Sequence, residues 1–167
     1  MEKRLSRWGI GPRTFGPSLL FAGTAWAVTR VWPEVFLVPG LNPGIRTAGL
    51  VLIGLGFSLW LAGVVTVMRA YNRDELVTTG PFALVRHPVY SAWITLIFPG
   101  LALWIRSWPM LLVPLLAYAI FRWLIHREDE YLEQRFGQSY REYRARVNEI
   151  LPVPRWRGRV HRTGSSH

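Results

Sequence analysis

Two polar clusters interrupt an otherwise apolar chain, and their residue types are those that bind and orient a charged ligand. The first cluster is residues 76–92, LVTTGPFALVRHPVYSA, in which an Arg-His pair directly precedes a proline. The second is residues 126–130, HREDE. A guanidinium and an imidazole at a helix start would bind an anion, because the free N–H groups there add positive potential.

The first cluster has the pattern of a turn followed by a helix start. Residues 79–81, Thr-Gly-Pro, are a turn signal, and Pro88 suits the first position of a helix. Arg86 and His87 would then lie at the entrance of that helix. The alternative interpretation is an ordinary basic flank of a membrane helix, with Tyr90 in an aromatic belt at the membrane surface.

The second cluster carries the opposite charge. Glu128 and Asp129 follow Arg127, and taken alone they are typical of a solvated helix start. His126 and Glu130 lie four residues apart on one helix face and could hold a metal ion with a histidine of the first cluster. The usual zinc-ligand spacings are absent, so we predict no metal site.

The elements that position these clusters are long apolar runs. Half of the 167 residues are hydrophobic, nine are Trp and none is Cys. Apolar runs of about 18 residues are longer than a soluble domain of this size normally contains. The absence of Cys excludes disulfides, thiolate nucleophiles and Cys-ligated metal clusters.

The sequence therefore predicts an all-α, polytopic membrane protein with about four transmembrane helices in a single domain, residues 1–154. The predicted spans are about 15–32, 45–67, 88–105 and 108–125. Arg106 and Ser107 alone connect the last two spans, which forces an antiparallel hairpin. Amphipathic cytoplasmic helices are predicted over 126–150, with a break at Gly137, followed by a basic disordered tail, 155–167.

The distribution of positive charge predicts the orientation. The net charge is +10, and 17 of the 20 Lys and Arg residues fall on the side that holds both termini and the first cluster. The positive-inside rule places that side in the cytoplasm, and we expect a prokaryotic cell membrane. The basic tail could indicate nucleic-acid binding, but in so apolar a chain an anionic lipid surface fits better.

The motifs, taken in order, resemble those of the superfamily of integral membrane methyltransferases that includes isoprenylcysteine carboxyl methyltransferases and phospholipid methyltransferases. The matching residues are LVTTGPFALVRHPVY at 76–90, the acidic pair Glu128 and Asp129, FGQSYREYRARV at 136–147, and Leu151 with Pro152. The chain departs from the family pattern at Asp129, where Glu is usual, at Ala92, where Gly is common, and at Phe82, where Tyr is frequent.

This resemblance implies that the chain binds S-adenosyl-L-methionine at the cytoplasmic face. Arg86, His87 and the helix start would bind its carboxylate, and Glu128 with Asp129 its ammonium or ribose hydroxyls. The implied cofactor-binding residues are Leu76, Thr79, Gly80, Arg86, His87, Pro88, Tyr90, Glu128 and Asp129.

The implied reaction is methyl transfer to a hydrophobic acceptor that enters from the bilayer. A prenylcysteine-type carboxylate needs no base, whereas a phospholipid amine or a thiol must lose a proton to His87 or Glu128. Arg127 completes the predicted catalytic set, and Arg122 or Arg127 could hold an anionic head group. The alternatives are a non-catalytic membrane subunit or a haem or metal carrier that uses His87 and His126.

Overall fold

Helices make up the regular structure of the residues that the computed structural model describes, which are 11–39, 42–71 and 75–153. The helices are α1 (Gly11–Val31), α2 (Pro33–Phe36), α3 (Pro43–Tyr71), α4 (Pro81–Leu84), α5 (Pro88–Ile105) and α6 (Leu112–Arg146), the last preceded by a 3₁₀ turn, Pro109–Leu111. Three helical stretches, α3, α5 and α6 with its 3₁₀ turn, are long and apolar enough to cross a membrane. The predicted all-α polytopic class is confirmed, but the count of four spans is not.

The first predicted span, α1, is less apolar than the other three, because Ser, Thr and Gly dilute its apolar residues and Arg13 and Arg30 lie near its ends. It nevertheless runs antiparallel along α6. Its buried residues, spaced by three and four, form one face: Thr14, Ser18, Ala22, Ala25 and Thr29. At one end of this face the Thr29 hydroxyl lies 2.7 Å from that of Ser107. At the other end, Arg13 lines a groove with residues 123, 124 and 127.

The connection between α5 and α6 is the tight hairpin that the sequence predicts. Arg106 ends α5 in the left-handed conformation, with φ 61°. The turn is stabilised by the segment after α2, since Val38 N donates to Arg106 O at 2.8 Å and the Trp108 indole donates to Val35 O at 3.1 Å. We call this the hairpin end of the helices, and the opposite end, where α3 ends and α5 begins, the site end.

Helix α3 packs against α5 through glycines, because only glycine lets the two backbones approach so closely. A Cβ at Gly49 would lie 2.7 Å from Gly100 O and 2.8 Å from Trp104 N. Gly54 of the same helix is open, since a Cβ added there would meet nothing within 4 Å. The contact places α3 antiparallel to α5, with Gly63 beside Val89 at the site end.

The buried core lies among α1, α5 and α6. It comprises Ala22, Ala25, Tyr90, Ile94, Phe98, Ala102, Met110, Val113, Ala117, Phe121, Leu124, Ile125 and Ile150. Within α5 the stretch Ala92–Ile97 is a π-helical turn. It precedes Pro99, whose ring and missing N–H disturb a regular α-helical ladder. The wider π-helical turn therefore accommodates the proline within a continuous helix.

Helix α6 continues well beyond the predicted span 108–125. At Gly137, with φ 53° and ψ −123°, its axis breaks and the following residues fold back. Residues 138–146, the return arm, then pack along the preceding turns of α6. Residues 147–153, the strap, cross the start of α5. The predicted tail at 155–167 lies outside the described residues.

Candidate functional site

Arg86 is the centre of a buried network that joins the two polar clusters. Its Nη1 donates to both carboxylate oxygens of Asp129, at 3.1 and 3.2 Å, and to the Tyr140 hydroxyl at 3.0 Å. Its Nη2 donates to Glu149 Oε1 at 3.2 Å. Arg86 and Asp129 are each only 3% exposed. The pair is held in place by α5, α6, the return arm and the strap together.

Tyr140 supplies the network's second donor to Asp129. Its hydroxyl donates to Asp129 Oδ1 while accepting from Arg86. Burial raises the pKa of this hydroxyl above its ordinary value, and the hydrogen bond to Asp129 raises it further. Tyr140 therefore stays protonated and keeps donating to the carboxylate.

Glu149 extends the network to the rim of the site. Its second oxygen accepts from Arg122 Nη1 at 2.6 Å, so this carboxylate lies between two guanidinium groups. Positive and negative groups alternate along the chain of contacts from Arg122 through Glu149 and Arg86 to Asp129. Such alternation compensates the desolvation cost of burying Arg86 and Asp129.

The strap occupies the backbone donors at the entrance of α5. Arg86 N donates to Asn148 O at 2.7 Å, and His87 N donates to Glu149 O at 2.9 Å. The Ser91 hydroxyl donates to Ile150 O at 2.6 Å. The amides that directly precede α5, which the sequence suggested for an anionic ligand, are therefore used within the protein.

His87 lies beside this network with one ring nitrogen unpartnered. Its Nε2 is 3.6 Å from Asp129 Oδ1, and its Nδ1 is 4.0 Å from Glu128 Oε1. Among the described residues, His87 Nε2 and Arg86 Nε are the buried side-chain nitrogens without a hydrogen-bond partner. Buried polar atoms are normally satisfied, so these two nitrogens indicate a place where a polar ligand group can bind.

Aromatic rings fix the side chains that face the core. The Tyr90 ring stacks on Phe15 with centroids 5.4 Å apart and lies 5.2 Å from Phe121. Phe121 also contacts the edge of His87, with centroids 5.6 Å apart. Tyr90 thus joins α1 to α5 and α6, and its stacking face is already covered by Phe15.

The structure brings together seven of the predicted site residues and separates the others. Six of them converge where α6 meets the start of α5, namely Arg86, His87, Pro88, Tyr90, Glu128 and Asp129, and the seventh, Arg122, joins them through Glu149. Leu76 is half-buried, whereas Thr79 and Gly80 are exposed, and Gly80 starts α4 with φ 60°. Arg127 is exposed and lines a groove with Arg13, away from the network.

The sequence indicated no site role for three residues of the network, Tyr140, Asn148 and Glu149, nor for Tyr143 beside it. Tyr140 and Tyr143 were matched only within the family-like stretch 136–147, although Tyr143 donates to Phe82 O at 2.6 Å. Asn148 and Glu149 lie in the strap, where no periodicity marks them. A signal existed for Glu149, since it is the last acidic residue before a strongly basic tail.

The metal alternative finds no support in this part of the molecule. His126 is exposed on α6, whereas His87 is buried. Within 11–39, 42–71 and 75–153, no three His, Asp or Glu side chains are grouped so that they could hold a metal ion.

Most of the chain is similar to proteins that are named as methyltransferases. The model of the phospholipid methyltransferase family matches residues 45–139. The chain is 33% identical to protein-S-isoprenylcysteine O-methyltransferase B of Arabidopsis thaliana over 71% of its own length and 66% of that protein. It is also 33% identical to protein-S-isoprenylcysteine O-methyltransferase of Schizosaccharomyces pombe, over 68% of its length and 46% of that protein.

A bacterial relative carries a different name. The cobalt-zinc-cadmium resistance protein CzcN of Cupriavidus metallidurans is 29% identical over 89% of the chain and 63% of that protein. The chain thus spans about two-thirds of the length of the curated relatives it matches first. No solved structure matches the chain significantly.

Proposed function

The chain belongs to the phospholipid methyltransferase family, and from this membership and the geometry of the site we propose that it transfers a methyl group from S-adenosyl-L-methionine to an acceptor dissolved in the bilayer. The observation that carries the proposal is the buried Arg86–Asp129 network with the unpartnered Nε2 of His87 beside it, at the end of membrane helices. Burying these charged groups has a high desolvation cost. A role in binding a polar ligand would explain why the protein keeps them buried.

The donor set fits the polar groups of the cofactor. Its ammonium and ribose hydroxyls need acceptors, which Glu128 and Asp129 supply. Its carboxylate needs donors, and the unpartnered nitrogens of His87 and Arg86 are the available buried ones. When bound, S-adenosyl-L-methionine supplies a methyl carbon that its sulfonium activates for in-line displacement.

Arg86 acts in this proposal mainly as an anchor. Both of its terminal nitrogens already bind Asp129 and Glu149, so they orient these carboxylates and leave Nε for a ligand. Tyr90 forms a wall of the site, because its ring is held in place by stacking on Phe15. Leu76, Thr79 and Gly80 would close the nucleoside side from the segment before α4, and Pro88 fixes the start of α5.

The chain's remaining task is to align the acceptor and exclude water. A carboxylate acceptor attacks without losing a proton. For an amine or thiol acceptor, Glu128 or the Nδ1 atom of His87 would receive the proton, because Nε2 donates to the cofactor's carboxylate in this proposal and Nδ1 lies 4.0 Å from Glu128 Oε1. An anionic head group would be held by Arg122, which is bound to Glu149 at the rim of the site, or by Arg127, which lies outside the network.

The acceptor class is tested by methyl transfer in a bilayer. Purified protein in phosphatidylcholine nanodiscs would receive S-adenosyl-L-methionine with a labelled methyl group and either a prenylcysteine, phosphatidylethanolamine or a small apolar thiol. We expect label in one hydrophobic acceptor, and its loss in Glu128→Ala. Glu130→Ala, an exposed acid two residues away, is the matched control and should retain transfer. Absence of label from every acceptor, with cofactor binding intact, would reject these acceptor classes.

A further inference from the structure

A groove at the site end lies between the first turns of α1 and the part of α6 that leaves the apolar stretch. It has a volume of about 480 Å³ and is lined by Arg13, Pro17, Trp123, Leu124 and Arg127. Its wall is apolar apart from the two guanidinium groups, one from each helix.

Neither guanidinium is neutralised by the described part of the protein. No carboxylate of residues 11–39, 42–71 or 75–153 forms an ion pair with Arg13 or Arg127, and no acidic side chain lines the groove. By contrast, Arg86 and Arg122 at the same end are bound to carboxylates. The groove therefore has the charge complementary to an anion that can be held by two arginines, and phosphate suits such contacts.

The apolar part of the groove favours a lipid as the carrier of that anion. Trp123 is 76% exposed, and indole rings concentrate at the boundary between lipid tails and head groups. Pro17 and Leu124 add apolar surface directly beside the arginines. A ligand with a phosphate next to acyl chains would contact both parts of this surface.

We propose that this groove is a binding site for the phosphate of an anionic phospholipid, held between Arg13 of α1 and Arg127 of α6. The lipid would tie the two helices together beside the aromatic cluster, because Phe15, between Arg13 and Pro17, stacks on Tyr90. The proposal shares Arg127 with the proposed acceptor contact, but lipid retention is measured without S-adenosyl-L-methionine, so it is tested separately from methyl transfer.

Native mass spectrometry of the full chain tests this site. The protein would be released from nanodiscs that contain equal amounts of phosphatidylglycerol and phosphatidylcholine with the same acyl chains. We expect one phosphatidylglycerol to be retained preferentially. Since each basic residue near a membrane surface contributes on the order of 1 kcal/mol, R13Q/R127Q should reduce retention about 30-fold.

Two further variants separate a site from general charge attraction. R30Q/R46Q removes two exposed arginines at the hairpin end and should retain the lipid as the parent does. R13K/R127K keeps the positive charge and should therefore retain most of the bound phosphatidylglycerol. Equal retention of both lipids by the parent, or equal losses in R13Q/R127Q and R30Q/R46Q, would overturn the proposal. Cooperative thermal unfolding of R13Q/R127Q, measured in parallel by circular dichroism, reports whether the variant is folded.

Discussion

At the scale of single residues, Arg86 determines how the site is held together. Its guanidinium makes hydrogen bonds to Asp129, Tyr140 and Glu149 while being nearly inaccessible to water. Removing one partner of a buried ion pair leaves the other charge uncompensated in a medium that solvates it poorly. The residue that the sequence suggested as a cofactor contact is thus first a structural requirement for the acids around it.

Replacement of Arg86 by Met should therefore destabilise the protein strongly. We expect Arg86→Met to lower the free energy of unfolding by about 3 kcal/mol, because Asp129 and Glu149 lose their buried donor. Thermal unfolding in detergent, followed by circular dichroism, would show a fall in Tm on the order of 10 °C.

The matched control is Arg141→Met. Arg141 pairs with Glu133 at 3.0 Å, but the two side chains are 62% and 37% exposed. Exposed pairs contribute less than about 1 kcal/mol, so the Tm should move little. Equal effects of Arg141→Met and Arg86→Met would show that burial of the network is not what stabilises it.

At the scale of elements, the strap is fixed to the start of α5 by both backbone and side chain. Asn148 O and Glu149 O accept from the amides of Arg86 and His87, and the Glu149 carboxylate binds Arg122 and Arg86. This segment has no helix of its own, so its position depends on these contacts. Loss of the carboxylate should loosen it without unfolding the helices.

Hydrogen–deuterium exchange can measure that loosening directly. In Glu149→Ala we expect the amides of residues 147–153 to exchange about tenfold faster, because charge-assisted hydrogen bonds contribute about 1.5–3 kcal/mol. Peptides from α3 should be unchanged. Glu142→Ala, which removes an exposed carboxylate that accepts from Gln138 at 3.2 Å, is the control. Unchanged exchange of the strap in Glu149→Ala would mean that backbone contacts alone hold it.

The packing of α3 on α5 gives a second prediction at this scale. Gly49→Ala should destabilise the protein, because the new Cβ would meet backbone atoms of Gly100 and Trp104 at 2.7 and 2.8 Å. Gly54→Ala should be neutral or stabilising, since its Cβ meets nothing within 4 Å and Ala favours a helix by about 1 kcal/mol over Gly. Tm values that move in the same direction in both variants would contradict this helix contact.

At the scale of the whole molecule, the helices place both polar clusters at one end. Helices α5 and α6 are antiparallel, so the start of α5 and the end of the apolar part of α6 meet there, while Ser107 and Thr29 meet at the other end. Charge counting predicts that the site end faces the cytoplasm.

The native chain has no Cys, which makes this orientation simple to measure. Glu34→Cys, at the hairpin end, should react with a membrane-impermeant maleimide in intact cells. Gln138→Cys, at the site end, should react only after permeabilisation. The opposite pattern would reverse the predicted topology, and labelling of both sites in intact cells would be incompatible with a membrane that separates the two ends.

The sequence predicted those features that depend on local pattern. The apolar runs set α5 at the residues predicted and α3 within a few residues of its predicted span, because crossing a bilayer imposes a minimum length. The tight hairpin at Arg106 and Ser107 brought Arg86 and Asp129 to one end. Gly137 marked the break in α6, but not the direction in which the chain continues.

That direction is why the rest of the site could not be predicted. Tyr140 and Glu149 reach Arg86 only because the return arm folds along α6 and the strap then crosses α5, which are contacts between segments distant in sequence. Which donors of Arg86 remain available to a ligand depends on the same contacts. The helical periodicity of residues 138–146 predicts neither these contacts nor the donors of Arg86 that remain available.

The central claim, that the buried network forms a cofactor site, is tested most directly by calorimetric titration of S-adenosylhomocysteine into the purified protein in detergent. We predict saturable binding by the parent, binding reduced at least tenfold in His87→Ala and in Glu128→Ala, and parent-like binding in Glu130→Ala, with all variants unfolding cooperatively. No binding by a folded parent protein, or equal binding by the parent, His87→Ala and Glu128→Ala, would contradict the assignment of this site.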